Sequence, residues 1–300
     1  MTFKDKLLSG NFVITAEVTP PRGTNLESFI KGSLLLKDSL DALNVTDFQN
    51  VGVRITSLVG SYLLLKEGIE PIFQITSRDR NRVAIQGEVL SAYVLGIRNV
   101  LVLTGDYTTT GIMKDAKPVF DIDAINILQF IKNLCEGRDS AGKKLSGAPE
   151  FFLGAVFNPN LEPLDLEISK LERKHRAGAE FFQSQLFYDL SLIERTREKI
   201  KDWEPRILAG VTIFKSKEMF EYMINKVPGI KIPKEIIEIL EKSKDIREKS
   251  IEICAEFCMK IKESKLLNGI HFLASRPVDI LEVLRLLKWK KEESSNVEAI

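Results

Sequence analysis

The chain of 300 residues has little of the chemistry that would sort it at once. It holds three cysteines, Cys135, Cys254 and Cys258, and two histidines, His175 and His271. An odd, sparse set of thiols is no disulfide framework and points to a reducing cytoplasm. With no close cluster of Cys and His, a four-ligand zinc or iron–sulfur site lacks its ligands, and no metal is expected. Charge of one sign is also missing: 43 basic against 42 acidic side chains leave a net +1. That argues against a nucleic-acid binder. No apolar run reaches the roughly 18 residues of a membrane span. The N-terminal MTFKDKLLSG lacks the apolar core and cleavage site of a signal peptide. There is no repeat of fixed period and no low-complexity block.

What is present is the composition of a globular protein, 44% hydrophobic and 28% charged. Short apolar runs rich in β-branched and aromatic residues recur at 12–19, 42–46, 70–76, 99–105, 151–157, 180–187, 206–213 and 269–275. Their lengths suit buried strands. Between them lie segments of helical length at 25–39, 52–67, 79–95, 121–136, 164–177, 189–201, 234–264 and 277–290. Alternation of this kind predicts a parallel sheet with helices outside. Eight such pairs are the number that closes a (β/α)8 TIM barrel, here a single domain over 1–290 with a polar tail over 291–300. A doubly wound open sheet is the alternative, but TPPRGTN stands after the first strand where a G-x-G-x-x-G would be expected. The seventh unit is enlarged near 215–264, and 106–120 reads as a long loop.

In such a barrel, chemistry gathers where strands end and βα loops begin. Polar residues fall there: Glu17, Asn44, Thr46, Asp47, Gln74, Thr104-Gly105-Asp106, Asn158, Gln183, Gln185 and Ser275-Arg276. Acids with several amides suit a flat, hydrogen-bonding heterocycle. Glu17 interrupts an apolar strand, where burial raises a carboxyl pKa and makes a proton donor. It could equally be paired with Arg78 or Arg80. Asp106 is either a turn residue or part of a site, and the Thr- and Gly-rich loop after it favours the second. Lys170, Arg173 and Lys174 share one helix face, either a solvated charged surface or a phosphate clamp. Arg78, Arg80 and Arg82 form a salt-bridge cluster or an anion site. His271 reads as a core or pocket histidine, His175 as a surface one, and Cys254 and Cys258 as packing on one helix.

The segments AEVTPPRG (16–23), LNVTD (43–47), QITSRDRN (74–81), GIRNVLVLTGD (96–106) and RAGAEFFQSQLFYD (176–189) together resemble the methylenetetrahydrofolate reductase family, in its short bacterial form. The likeness runs from about Phe12 to Arg276. It implies a (β/α)8 barrel that binds FAD and reduces 5,10-methylenetetrahydrofolate to 5-methyltetrahydrofolate, in one-carbon metabolism and methionine biosynthesis. In that family an acid protonates N10 and opens the five-membered ring. The N5 iminium so formed then takes hydride from the flavin N5. The resemblance gives Glu17 the role of the acid and sets Asp106 against the pterin near the flavin. Gln185, with Gln183 beside it, and Arg276 would bind substrate. Thr46, Gln74, Gly105, Asp106, Phe120 and Asn158 would line the flavin. Glu167, Lys170, Arg173 and Lys174 would meet its adenosine and diphosphate portions.

Several positions depart from the family pattern. Gln74 stands where many members have His, and Phe120 where a Tyr is common. VFNPNLEP lacks the usual histidine, and GVTIF has Ile213 without the usual proline nearby. These bear on flavin affinity and on the electron donor, which is NADH, NADPH or a protein. An electron-transfer partner subunit or a homo-oligomer is compatible with the family. Two other readings compete: a lyase or aldolase barrel without flavin, and a non-catalytic barrel within an electron-transfer assembly.

Overall fold

The computed structural model describes residues 1–289 other than Lys201 and Pro228. The polar tail expected over 291–300 and the final residue of the helix expected over 277–290 lie outside the described residues. The chain opens with α1 (Phe3–Leu8), β1 (Val13–Val18), α2 (Glu27–Leu36), β2 (Ala42–Val45), α3 (Ser57–Lys66), β3 (Pro71–Thr76) and α4 (Arg82–Val94). Then come β4 (Asn99–Leu103), α5 (Ala124–Cys135), β5 (Phe152–Phe157), α6 (Leu164–Arg176), β6 (Phe181–Leu186), α7 (Ser191–Lys199) and β7 (Ile207–Val211). The last part holds α8 (Lys217–Lys226), α9 (Lys234–Lys242), α10 (Ile246–Ser264), β8 (Gly269–Phe272) and α11 (Pro277–Leu286). All eight strands are parallel and close into a barrel, β1 pairing with β8 through Thr15 opposite His271. The fold expected from the alternation is thus the fold found.

Local chemistry starts the helices where the strands stop. Asn81 accepts from Ala84 N–H at the head of α4, and Asp123 from Asn126 N–H at the head of α5. Between β7 and β8 the expected helical stretch over 234–264 is two helices. The break falls at Ser243-Lys244-Asp245, because Asp245 caps a new helix by accepting from Glu248 N–H. Helices α8 and α9 carry their own apolar cluster, in which Phe220, Met223 and Leu240 pack on Leu186 and Phe214. They therefore sit at the carboxyl ends of β6 and β7. Asn158 and Asn160 tie this insertion down, each donating to the Gly229 carbonyl at 3.1 Å.

The amino-terminal end of the barrel is closed by α1. Phe3 and Leu7 insert among Val13, Ala42, Ile72, Phe152, Phe181 and Leu208. The Phe3 ring meets Phe152 and Phe181 edge-on, at 5.9 and 5.3 Å between centroids. Polar groups around the plug are matched: Lys6 pairs with Asp41 at 2.8 Å, and Glu70 accepts from Phe3 N–H and the Asn99 amide. The charged N-terminal segment is therefore a stopper, a role its composition does not announce. Two cavities flank it, of about 160 and 340 Å³. They lie at the end opposite the polar strand ends.

Candidate active site

Register decides which side chains share a level inside the barrel. Glu17 lies beside Asn44, Asn44 beside Ile72, and Gln74 beside Leu101. Tilted strands build each interior layer from alternate strands. Glu17, Gln74, Val156 and Gly210 of the odd strands form the upper layer. Asn44, Leu101, Gln183 and His271 of the even strands lie one step beneath. This lower layer is a polar floor. The amides of Asn44 and Gln183 join across the barrel, at 2.7 and 3.1 Å. His271 Nδ1 lies 2.8 Å from the Thr15 hydroxyl, and burial lowers its pKa to about 3, so the ring is neutral.

Glu17 stands above this floor, partly buried. Its Oε2 accepts from Ala274 N–H at 3.2 Å, and its carboxyl is hydrogen-bonded to the Gln74 side chain. Burial raises its pKa, and the two hydrogen bonds offset only part of that. The arginine pairing weighed above is not found. Arg78 donates to Asp79 and to the Phe48 carbonyl, and Arg80 is bound to Asp47 and Glu88. Asp47 also accepts from Thr76 N–H and Oγ1, so this cluster fixes the β2 and β3 loops to each other.

Around Glu17 the carboxyl ends of β2, β3 and β4 converge. Thr46 is buried, and its hydroxyl has no hydrogen-bond partner among the described residues. Gly105 turns the chain at φ +88°, so close that a Cβ there would lie 3.0 Å from the Arg78 Cβ. Asp106 follows, exposed, at the same end of the barrel as Glu17. The long loop after β4 is bound to its neighbours through backbone: Ile112 N–H to Asn50 O, Met113 N–H to Val51 O, and Val119 N–H to Arg78 O. Phe120, at the end of that loop, meets the Tyr107 ring edge-on at 5.5 Å.

On the opposite side the expected residues are more committed than the sequence implied. Gln183 is the floor partner of Asn44, its amide engaged across the barrel. Gln185 lies at the mouth, with Oε1 accepting from Leu186 N–H at 2.9 Å. Arg276 is exposed and bidentate to the buried Asp279, at 2.7 and 2.9 Å. Asn158 holds the insertion, and its N–H faces Glu167, which is buried and also pairs with Lys170. Lys174 does not join an outward basic face. Its long stem carries the ammonium to the Val156 carbonyl at 2.6 Å, and burial lowers its pKa. Lys170 and Arg173 remain exposed. Sequence reading set Asn44 among the polar strand ends without giving it a role, and missed the Ala274 N–H. Asn44 has a signal, the inward parity it shares with Thr46. Ala274 has none, since its left-handed φ of +47° cannot be read from an alanine.

Fold and site thus define a (β/α)8 barrel whose carboxyl mouth holds a desolvated carboxyl over a hydrogen-bonded polar floor. The model of the methylenetetrahydrofolate reductase family matches residues 2–284, and the chain belongs to that family. It is 24% identical over 250 residues to a probable methylenetetrahydrofolate reductase (NADPH) of Caenorhabditis elegans, covering 80% of this chain and 36% of that protein. It is 24% identical over 210 residues to methylenetetrahydrofolate reductase 1 of Schizosaccharomyces pombe, covering 68% and 33%. The chain thus spans about a third of the length of these curated relatives. Among solved structures it resembles a Clostridium thermocellum protein described as binding two copies of 5-methyl-5,6,7,8-tetrahydrofolic acid. The TM-score is 0.66 at 20% identity, covering 95% of this chain and 97% of that one. The EDTA monooxygenase EmoA of Chelativorans shares the fold at TM-score 0.54 and 10% identity, covering 93% of each chain. Among the described residues, no helix is long and apolar enough to cross a membrane.

Proposed function

We propose that this chain reduces 5,10-methylenetetrahydrofolate to 5-methyltetrahydrofolate at the carboxyl mouth of the barrel, with FAD as cofactor. The observation that carries the reading is Glu17, a desolvated carboxyl in the upper layer with no cationic partner among the described residues. A carboxyl so placed retains its proton to higher pH and can give it to the folate N10. The C–N10 bond then breaks and leaves an iminium at N5, which becomes the methyl group on taking hydride. Gln74 and the Ala274 N–H hold the Glu17 carboxyl and stabilise the carboxylate that remains. Asp106, at the same rim, supplies negative charge near the developing cation.

The chain's residues fit a flavin at this mouth. Among the described residues the buried Thr46 hydroxyl has no partner, and Gly105 keeps the rim open where a side chain would crowd it. Lys170 and Arg173 offer exposed cations to a diphosphate, while Lys174 and Glu167 support the loop that would border it. FAD, when bound, supplies hydride-transfer chemistry. Reducing equivalents come from NADH, NADPH or an electron-transfer protein, and anaerobic assays with each donor distinguish them.

The test separates two half-reactions. Glu17→Gln keeps shape but cannot deliver a proton to N10. Stopped-flow absorbance should show flavin reduction by the donor at near wild-type rate in this variant. Reoxidation by methylenetetrahydrofolate should fall by roughly 10²–10⁴-fold, the range of general acid catalysis. Near-normal reoxidation would remove Glu17 as the acid, and protein purified without flavin absorbance would favour a lyase barrel.

A further inference from the structure

The ladder between β6 and β7 is irregular at one place. Gln183 lies opposite Leu208, yet Leu186 lies opposite Gly210, so β6 carries one residue more than its partner. This is a β-bulge, a device that re-aims side chains next to sites. An extra residue removes a ladder acceptor, and a buried N–H left without one is costly. Here Ser184 supplies the missing group. Its hydroxyl accepts from Gly210 N–H at 2.8 Å and donates to the Gln185 carbonyl at 2.9 Å. Serine can do both because a hydroxyl is donor and acceptor at once. Ser184 is buried, and its carbonyl would lie 2.3 Å from any Cβ on Gly210, so the bulge needs glycine opposite it.

The consequence falls on Gln185. With its backbone carbonyl held by Ser184 and its Oε1 turned onto Leu186 N–H, the polar end left to the mouth is the amide nitrogen. We propose that Ser184 is a positioning residue: by bridging Gly210 and Gln185 it locks the bulge that presents the Gln185 amide N–H to an acceptor atom of the folate ring. The proposal rests on the folate reading above and adds to it a residue that never touches the ligand. A donor held in advance recognises an acceptor with little ordering cost, and a loosened one loses that advantage.

A double-mutant cycle tests the link. The flavin-loaded full chain is titrated with 5-methyltetrahydrofolate by anaerobic calorimetry, as wild type, Ser184→Ala, Gln185→Ala and the double variant. Flavin affinity is measured in parallel. Ser184→Ala and Gln185→Ala should each raise the folate Kd about tenfold. The double variant should be no weaker than Gln185→Ala alone, since Ser184 acts only through Gln185. Flavin affinity should stay within about twofold in all of them, and Ser184→Thr, which keeps the hydroxyl, should restore folate binding. Should Ser184→Ala not fold, Ser184→Cys preserves volume while weakening both hydrogen bonds, and the same pattern is expected. Multiplicative losses in the double variant, an unchanged Kd in Gln185→Ala, or an equal loss in Ser184→Thr would overturn the proposal while leaving folate binding by the wild type intact. A wild type that binds no folate would overturn the folate reading itself, and this proposal with it.

Discussion

Glu17 carries a stability cost that follows from its chemistry. Its folded pKa is raised by burial, so the folded chain holds that proton to higher pH than the unfolded chain does. The carboxyl's contribution is fully present below the unfolded pKa, about 4.3 for a glutamate. It is lost as pH rises through the folded value. Gln cannot ionise and escapes this loss. Glu17→Gln should therefore melt above wild type at neutral pH, and the difference should vanish as pH falls below about 4. Differential scanning calorimetry across that range checks it. Equal Tm values at all pH would mean that the carboxyl is well solvated. Turnover should depend on the same proton and fall in the same direction, since folate reoxidation slows as pH rises through the Glu17 pKa.

At the scale of elements, the Asn44–Gln183 bridge couples β2 to β6 across the barrel floor. Asn44→Leu strands a buried amide and should cost about 1–3 kcal/mol in urea unfolding. Replacing both partners, as Asn44→Leu with Gln183→Met, should recover most of that, because no polar group is then left alone. Failure to recover would make the floor a matter of packing shape. The elements themselves were legible in the alternation of apolar runs and periodic segments, and a polar residue at the end of an apolar run marked Glu17 and Gln74. Ends were less legible. The run over 99–105 stops as a strand at Leu103, because Gly105 takes a left-handed turn that no ladder accepts. The basic face of α6 was legible in part: Lys170 and Arg173 stay exposed, while the Lys174 stem carries its ammonium to the Val156 carbonyl. The donor from Ala274 is backbone, and backbone donors leave no mark on a sequence.

Across the whole molecule, stability and chemistry occupy opposite ends of the barrel. Phe3 is fully buried in the plug, and Phe3→Ala should cost about 3–5 kcal/mol through the cavity it leaves. Folate affinity should nonetheless stay near wild type in calorimetry, because the polar floor and the interior layers stand between plug and mouth. A large loss of affinity would mean that the plug sets the shape of the mouth. The seam that closes the barrel joins β1 to β8, and Thr15 and His271 meet across 256 positions of chain. The carboxyl on β1 receives its backbone donor from the segment just after β8. A ribosome therefore makes the Ala274 N–H 257 positions after the Glu17 carboxyl that it holds. During synthesis the acid waits, solvated and unheld, until the last strand of the barrel has emerged. Assembly of the site coincides with ring closure, the step of highest contact order in the fold.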